Sequence, residues 1–597
     1  MKQLLSFLLR FFMVTMLLFL GQKAVFMVFN ASYGEGLAIG DWLAVLWHGM
    51  RLDLVVTCYL MVIPILVTAV AAFIKRCSLR KWLSWWYVIA GIAMSLAFLA
   101  DMVLYNYWGS KLDVADLIYA RNPQDLLASF TWWQLLGIFA GVLGQVLIVL
   151  WVWFWATPKC VERCRKPMVY FVLALLLLGA DFVGMRGGIN VSTANPSYAY
   201  FSDNKYLNHA ALNPFFNILN SMSKTEKLDE EFVSMSEVEM QRLTKNLFSS
   251  SSSIADTLLS NRRPNIILLI WEGGGSLMTE NDSVAPCFGR MKEEGVFFTN
   301  CYANNFRTDR GLVSILNGWL ALPTTSVMKM SGLCGKLPSI ARHLKSANYN
   351  TAFYYGGDID FTNMRGYLYE TDYDKVCGIE SFGTLPTNSK WGVHDEHFLD
   401  MKNFDFTNHP FFVTLLTLSS HEPWTVPYRK LIDDRANSFA YADSCIGVFV
   451  ENMKKSELWD NLLLIIVPDH GVGCNGVSVA DIRASRIPML WLGGAIKKPQ
   501  NVDCLMNQSD LAATLMAQMG LSADDFIFSR NVLNPNYRPT VVMHAFKNGF
   551  NLMDSIGCTQ YECLNGQVVP AGKDHSPNAE LQAKALMQMV YSRTGRL

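Results

Sequence analysis

The sequence predicts two architectures in one chain: an N-terminal five-helix transmembrane domain and a C-terminal α/β domain built on a mostly parallel central sheet. Three observations predict it. Only 17% of the 597 residues are charged, well below the roughly 25% of soluble chains. The first third holds long uncharged apolar runs, whereas from Asn265 onward short apolar runs alternate with helix-like segments, as in a parallel sheet covered on both faces. Polar residues recur directly after those short runs, where open α/β sheets bind ligands. The 50 Lys+Arg balance the 50 Asp+Glu, which excludes a strongly basic nucleic-acid binder and a highly charged disordered chain. No nucleic-acid partner is therefore expected. The 13 Cys contain no CxxC pair, so a zinc finger has no basis.

A helix crossing roughly 30 Å of hydrocarbon needs about 20 apolar residues. Residues 54–74, 82–100 and 126–158 carry no charge, and the last run places Trp132, Trp133, Trp151 and Trp155 near two membrane interfaces. Residues 167–185, broken only by Asp181, form a shorter span. Residues 4–29 form a fifth, with Arg10 and Lys23 expected to snorkel at its ends. The stretch 11–20 also reads as a signal-peptide core, but no A-x-A site follows, so a retained helix is expected. Asp53, Asp101 and Asp181 are expected at span ends, near the interfaces. Lys75, Arg76, Arg80 and Lys81 fill one loop, and Lys159, Arg163, Arg165 and Lys166 fill the next but one. The alternate loops are acidic or mixed, with Glu35 and Asp41 in one and Lys111, Asp113, Asp116, Arg121 and Asp125 in the other. Basic loops stay cytoplasmic. This predicts a multi-pass cell-membrane protein with a cytoplasmic N-terminus and a periplasmic or extracellular outer domain. The expected divisions are a transmembrane domain at 1–185, a juxtamembrane linker with surface helices and a Ser run (249–253) at 186–263, a catalytic domain at 264–545, and a C-terminal extension at 546–597, packed on the catalytic domain or partly flexible.

In the outer domain, the apolar run 265–271 leads into Glu272. The run 351–355 leads into Gly356, Gly357 and Asp358, the run 411–418 into Ser419, Ser420 and His421, and the run 462–467 into Pro468, Asp469 and His470. Taken singly, each polar residue has an ordinary explanation: Glu272 as a helix cap, Asp469 as an Asx turn, His421 as a hydrogen-bonded imidazole. Four such strand ends in one domain are expected to share one lip of the sheet. Glu272, Asp469 and His470 then offer two carboxylates and an imidazole to one divalent metal, a donor set that suits Mn²⁺, Zn²⁺ or Mg²⁺. The stretch 305–311 runs into an apolar helix start and places Thr308 near a helix N-terminus, where the dipole favours an alkoxide and a bound phosphate. Arg307 and Arg310 add cations able to clamp phosphoryl oxygens.

On these residues, together with Arg365 seven positions after Asp358 and the pairs Glu422-Pro423 and Trp391-Gly392, the chain resembles the lipoteichoic acid synthase-like phosphoglycerol transferases of the alkaline phosphatase/sulfatase superfamily. The likeness covers nearly the whole chain, five spans included. It implies an alkaline phosphatase/sulfatase-like catalytic domain and one divalent metal, commonly Mn²⁺ in that family, held by Glu272, Thr308, Asp469 and His470. It also implies substrate contacts from His421, Asp358 and Arg365, and a pocket wall at Trp391. Two departures stand out. No C/S-x-P-x-R motif surrounds Thr308, so sulfatase activity is not expected, and Asn363 stands where Gram-positive members carry an aromatic residue.

The implied reaction is two displacements: Thr308 attacks a phospholipid donor and expels diacylglycerol, then an envelope lipid or glycan hydroxyl, or water, resolves the phosphothreonine-linked head group. His421 is placed to act on a leaving or entering oxygen. The alternatives are a phosphoethanolamine transferase or phosphodiesterase of the same superfamily, and a catalytically inactive lipid- or glycan-binding scaffold. Phosphoethanolamine transferases usually carry a second metal-binding cluster and several disulfides. The outer Cys, from Cys287 to Cys563, are odd in number and leave at least one unpaired.

Overall fold

The computed structural model describes residues 1–34, 36–108, 111–112, 132–189, 192–222, 228–248, 257–383, 385–386, 390–474, 476–537, 541–547, 549–562, 567–571 and 579–597. Expectations that fall on Glu35, Asp113, Asp116, Arg121, Asp125, the Ser run 249–253 and Cys563 lie outside the described residues. The chain forms two compact units, Met1–Thr225 and Glu226–Leu597. Residues 186–222 thus belong to the first unit and 228–263 to the second.

The first unit is built on five helices long and apolar enough to cross a membrane: α1 (Lys2–Phe29), α2 (Ile39–Ala71), α3 (Leu79–Trp108), α4 (Trp132–Ala156) and α5 (Pro167–Arg186). Two-residue strands, Arg76–Cys77 and Val161–Glu162, pair antiparallel and tie the two basic loops together. After α5 the chain continues as α6 (Lys205–Ala211) and α7 (Pro214–Met222).

Lys23 does not snorkel. Its ammonium is 4% exposed and pairs with Asp53, which also accepts a 2.8 Å hydrogen bond from Asn213 Nδ2. Asp101 is buried against Lys111 in the same way. Asp53 and Asp101, expected near the interfaces, are thus both buried within the protein, where a charge requires a counter-charge. Gly49 makes the first pair possible: a Cβ there would lie 2.3 Å from Lys23 Cε and 2.6 Å from the Ala211 carbonyl oxygen.

In the second unit, α8 (Leu228–Glu231) and α9 (Glu237–Thr244) precede a nine-stranded mixed sheet. Its strands are β1 (Asn265–Trp271), β2 (Val296–Tyr302), β3 (Asn350–Tyr355), β4 (Lys375–Cys377), β5 (Phe411–Leu416), β6 (Leu462–Pro468), β7 (Arg486–Leu492), β8 (Gln500–Val502) and β9 (Met506–Asn507). The order is β8-β2-β7-β6-β1-β5-β3-β4, with β9 also pairing β2. All pairings are parallel except those of β7 with β2 and β6. β1 and β6 are buried at every position, which explains their continuous apolar composition. The parallel register aligns Trp271 with Pro468, Ile270 with Leu416, and Leu416 with Tyr355, so β1, β6, β5 and β3 end at one level.

Helices α10 (Thr308–Asn317), α11 (Met364–Glu370), α12 (Asp434–Lys454) and α13 (Asp510–Met519) follow sheet strands. Beyond them a four-stranded antiparallel sheet, β10 (Val542–Phe546), β11 (Gly549–Met553), β12 (Cys558–Glu562) and β13 (Gln567–Ala571), leads to α14 (Ala579–Gly595). On α14, Thr594 accepts a 3.0 Å hydrogen bond from Trp319 Nε1, Tyr591 stacks on Phe232, and Gln588 accepts from the Ser234 and Met235 N–H groups. The C-terminal segment thereby joins α8 and α9 to the body of the unit.

Replacing Lys23 by Met leaves the Asp53 carboxylate buried without its counter-charge. Removing one partner of a buried pair costs about 3–5 kcal/mol. Thermal unfolding in detergent is expected to show Lys23→Met strongly destabilised and the Lys23→Met/Asp53→Leu double variant largely restored.

Candidate active site

The aligned strand ends deliver the polar residues to one place. Glu272 leaves β1, Asp469 and His470 leave β6, and their ligand atoms all lie within 4.8 Å of one another. Among the described residues no other group of His, Cys, Asp and Glu gathers in this way. Thr308 opens α10 after the extended residue Arg307, and its Oγ1 donates to Glu272 Oε2 at 3.2 Å. Gly311, one turn on, is the contact that admits this helix: a Cβ there would sit 2.1 Å from the Asp469 carbonyl oxygen.

The carboxylates are held from behind by backbone and side-chain donors. Asp469 Oδ1 accepts the Gly273 N–H at 2.8 Å and the His470 N–H at 2.9 Å. Glu272 donates its N–H to Thr417 Oγ1 at 3.0 Å and accepts Ser420 Oγ–H on its carbonyl at 2.6 Å. Gln508 donates to the Asp469 carbonyl at 2.9 Å and accepts the Asn304 N–H at 2.7 Å, joining the metal-ligand turn to the loop that leads to Thr308. From the small sheet, Asn305 Nδ2 donates to the Ala545 carbonyl at 2.7 Å, and His544 Nδ1 lies 2.9 Å from the Ala303 carbonyl.

His470 Nδ1 lies 2.9 Å from the Gly471 carbonyl oxygen, an arrangement that places the proton on Nδ1 and leaves the Nε2 lone pair for a metal. Nε2 lies 3.4 Å from Glu272 Oε1 and 3.5 Å from Asp469 Oδ2. Asp469 Oδ2 is buried and accepts no hydrogen bond among the described residues. Two carboxylates, an imidazole and a hydroxyl, with one orphaned buried oxygen, fit a hard or borderline divalent cation.

The electrostatics of the protein groups alone agree. Burial and the adjacent Glu272 charge push Asp469 up to about 7. Burial would raise Glu272, but the His470 contact outweighs it and holds the carboxyl at about 2. Burial would depress His470, but Asp469 and Glu272 raise it to about 10. Asp469 and His470 thus retain protons that a divalent ion would replace.

Around this centre the other predicted residues are placed unequally. His421 stands beyond β5 with Nδ1 2.8 Å from the Glu422 carbonyl oxygen, and its ring centroid is 4.5 Å from that of Trp391. Trp391 Nε1 donates to the same Glu422 carbonyl at 2.6 Å. Arg307 is exposed directly before Thr308. Asp309 is buried, and although burial would raise it, Lys329 at 3.0 Å together with Arg310 and Arg307 holds it below the usual range. Arg310 donates its Nε to the Thr325 carbonyl, so that edge of its guanidinium is occupied. Asp358 is half-buried at the end of β3, where Oδ1 accepts the Asp360 N–H at 3.0 Å. Arg365 is engaged by two acids, donating to Asp360 at 2.7 Å and to Glu380 at 2.5 Å. Asn363, in the left-handed region at φ 70°, donates to the Met328 carbonyl at 2.8 Å and so anchors the loop carrying Lys329.

Sequence reasoning passed over Thr417, Gln508, Tyr355 and Asp395. Tyr355 ends β3 and is pushed above its ordinary range by burial and by the charges of Glu272, Asp358, Asp469 and Asp395. Thr417 lay inside the apolar run 411–418 and was read as strand, whereas Gln508 and Asp395 carried no positional signal. The described cysteines are all free thiols, most of them buried.

Residues 264–521 match the sulfatase family model. The matched stretch lies wholly within the second unit. Its architecture is shared with an alkaline phosphatase superfamily protein from Vibrio parahaemolyticus, at 24% identity and a TM-score of 0.54 over 61% of this chain and 98% of that one. The lipoteichoic acid synthase of Staphylococcus saprophyticus is 20% identical over 547 residues, covering 83% of this chain and 80% of that protein. The lipoteichoic acid synthase-like protein YvgJ of Bacillus subtilis is 24% identical over 283 residues, 42% of this chain. The matched stretch spans 45% of the length of YvgJ. Phosphoglycerol transferase I of Xanthomonas campestris pv. campestris is 25% identical over 226 residues, 34% of this chain and 32% of that protein. The homologues of this chain thus include lipoteichoic acid synthases and phosphoglycerol transferases.

Because Asp469 sits near 7 and His470 near 10 before metal enters, binding must release protons. Calorimetric titration with Mn²⁺ is expected to show proton release and an affinity that rises from pH 6 to pH 8. An affinity independent of pH would contradict this ligand set.

Proposed function

We propose that the chain is a membrane-anchored, metal-dependent transferase. It moves a phosphoglycerol-type head group from a phospholipid donor to an envelope lipid or glycan acceptor through a Thr308-linked intermediate. The observation that carries the reading is the Thr308 hydroxyl at the first position of α10, 3.2 Å from a carboxylate of the metal-type triad. Glu272, Asp469, His470 and Thr308 would hold one divalent ion, Mn²⁺ by family likeness with Mg²⁺ or Zn²⁺ also compatible, which supplies Lewis acidity and charge neutralisation.

The protein groups have defined tasks. The Thr308 hydroxyl already donates to Glu272, so its proton has an acceptor as Oγ1 attacks phosphorus. The first-turn N–H groups of α10 and the exposed Arg307 guanidinium face the negative charge that develops on the phosphoryl oxygens. The Nδ1 contact of His421 with the Glu422 carbonyl leaves Nε2 to protonate the departing diacylglycerol oxygen and later to accept the acceptor hydroxyl proton. Trp391 backs that imidazole, and Asp358 and Arg365 belong to the head-group side. With the basic loops cytoplasmic, the domain works on the periplasmic or extracellular face, beside its lipid donor.

A phosphoethanolamine head group is the second reading, and one observation favours it. Arg365 is neutralised by Asp360 and Glu380, which with Asp358 leaves an acidic surplus suited to an ammonium. The likeness to a lipoteichoic acid synthase and to phosphoglycerol transferase I favours phosphoglycerol. With protein in detergent, Mn²⁺ and fluorescent-acyl lipids, diacylglycerol release from phosphatidylglycerol is expected. Thr308→Ala should abolish it, a loss of at least about 10³-fold as for other covalent nucleophiles. Preferential release from phosphatidylethanolamine would move the assignment to the second reading, and release by Thr308→Ala at the wild-type rate would contradict both.

A further inference from the structure

The turn that carries His421 is closed by its own bond from the His421 N–H to the Leu418 carbonyl at 3.1 Å, and groups outside the turn set where it stands. Its backbone is gathered by one buried carboxylate. Asp395, 0% exposed, accepts the Leu418 N–H on Oδ1 at 2.9 Å and the Ser419 N–H on Oδ2 at 3.2 Å, and donates its own N–H to Ser419 Oγ at 2.9 Å. Thr417 and Ser420, on the same turn, bond the two ends of the Glu272 peptide unit. Three contacts from one residue thus fix Leu418 and Ser419, three and two positions before His421.

The short segment containing Asp395 reaches both sides of the pocket. Trp391 donates to the Glu422 carbonyl and lies against the His421 ring. Gly392 pairs with Gly357 as an isolated bridge, and the Val393 N–H donates to the Gly356 carbonyl at 2.9 Å, next to Asp358. That crossing is close: a Cβ on Gly392, whose φ is +149°, would meet the Gly356 carbonyl oxygen at 2.1 Å. Residues 391–395 therefore bridge the Asp358 turn to the His421 turn. A buried carboxylate facing two backbone N–H groups also has a demanding chemistry. An amide in its place offers a single acceptor oxygen and turns an NH₂ donor toward the other N–H.

We propose that Asp395 is a positioning residue for His421, setting the distance of its imidazole from the phosphoryl centre and from the head-group turn. It acts through the 417–421 backbone and does not touch substrate. This rests on the reading that His421 transfers a proton at the leaving or entering oxygen.

The test is a double-mutant cycle on the full-length protein in detergent with Mn²⁺ and the fluorescent-acyl donor, measuring kcat, KM and Mn²⁺ affinity. Asp395→Asn is expected to lower kcat about 100-fold, the scale of an ångström-level misplacement, with Mn²⁺ affinity within about threefold. Combined with His421→Ala, it should add no more than about threefold to the loss of His421→Ala alone, because the imidazole it places is gone. Trp391→Phe keeps a ring against His421 but removes the bond to the Glu422 carbonyl. It should show a smaller kcat loss of about tenfold that also vanishes in the His421→Ala background, and it carries the test if Asp395→Asn does not fold. Losses that multiply, or Asp395→Asn losing Mn²⁺ binding, would overturn the inference while leaving a slow His421→Ala, and the functional reading, intact. His421→Ala turning over at the wild-type rate would overturn both.

Discussion

The structure of the second unit depends on burying two carboxylates beside each other at the end of a parallel sheet. Parallel pairing of β1 with β6 sets Trp271 level with Pro468, and the next residues on each strand are Glu272 and Asp469. Neither side chain can retreat to solvent, since both are buried. The protein groups answer with a protonated imidazole from His470 and two backbone N–H groups on Asp469 Oδ1, while Oδ2 accepts no hydrogen bond among the described residues. Two of these groups hold protons that a bound divalent ion would displace, so the site is suited to such an ion. The same constraint places Thr308: Gly311 lets α10 approach the Asp469 carbonyl, and the helix's first residue meets Glu272.

The supporting elements come from distant parts of the sequence. Gln508, before α13, links the Asp469 turn to Asn304, and β10 of the small sheet supports Asn305 and Ala303. The C-terminal region is therefore part of the apparatus that fixes Thr308. The membrane unit solves its own charge problem by comparable means. Lys23 and Lys111 are buried only because Asp53 and Asp101 meet them, and Gly49 gives the space for the first pair.

Much of this was legible in the sequence, for physical reasons. The five spans follow from length and hydropathy, and strands buried on both faces read as continuous apolar runs whose ends mark the ligand side. Glu272, Asp469 and His470 were found that way, and Thr308 from the apolar helix start that follows it. Lys23 was misread because a span-end lysine usually snorkels, and its partner lies on a different helix, which local sequence does not reveal. Asp395 and Gln508 escaped for the same reason: their roles consist of bonds to backbone atoms far along the chain. The engagement of Arg365 by Glu380 was not legible either, since nothing in the spacing pairs them.

The central claim is that Thr308 becomes covalently loaded with the donor head group. The most direct measurement is peptide mass mapping of wild-type protein quenched during turnover of phosphatidylglycerol with Mn²⁺ and no acceptor. The account predicts a glycerophosphoryl group on the peptide containing Thr308, fragmenting to that residue. Diacylglycerol release with Thr308 unmodified at every time point, or a head group carried on a different residue, would contradict it.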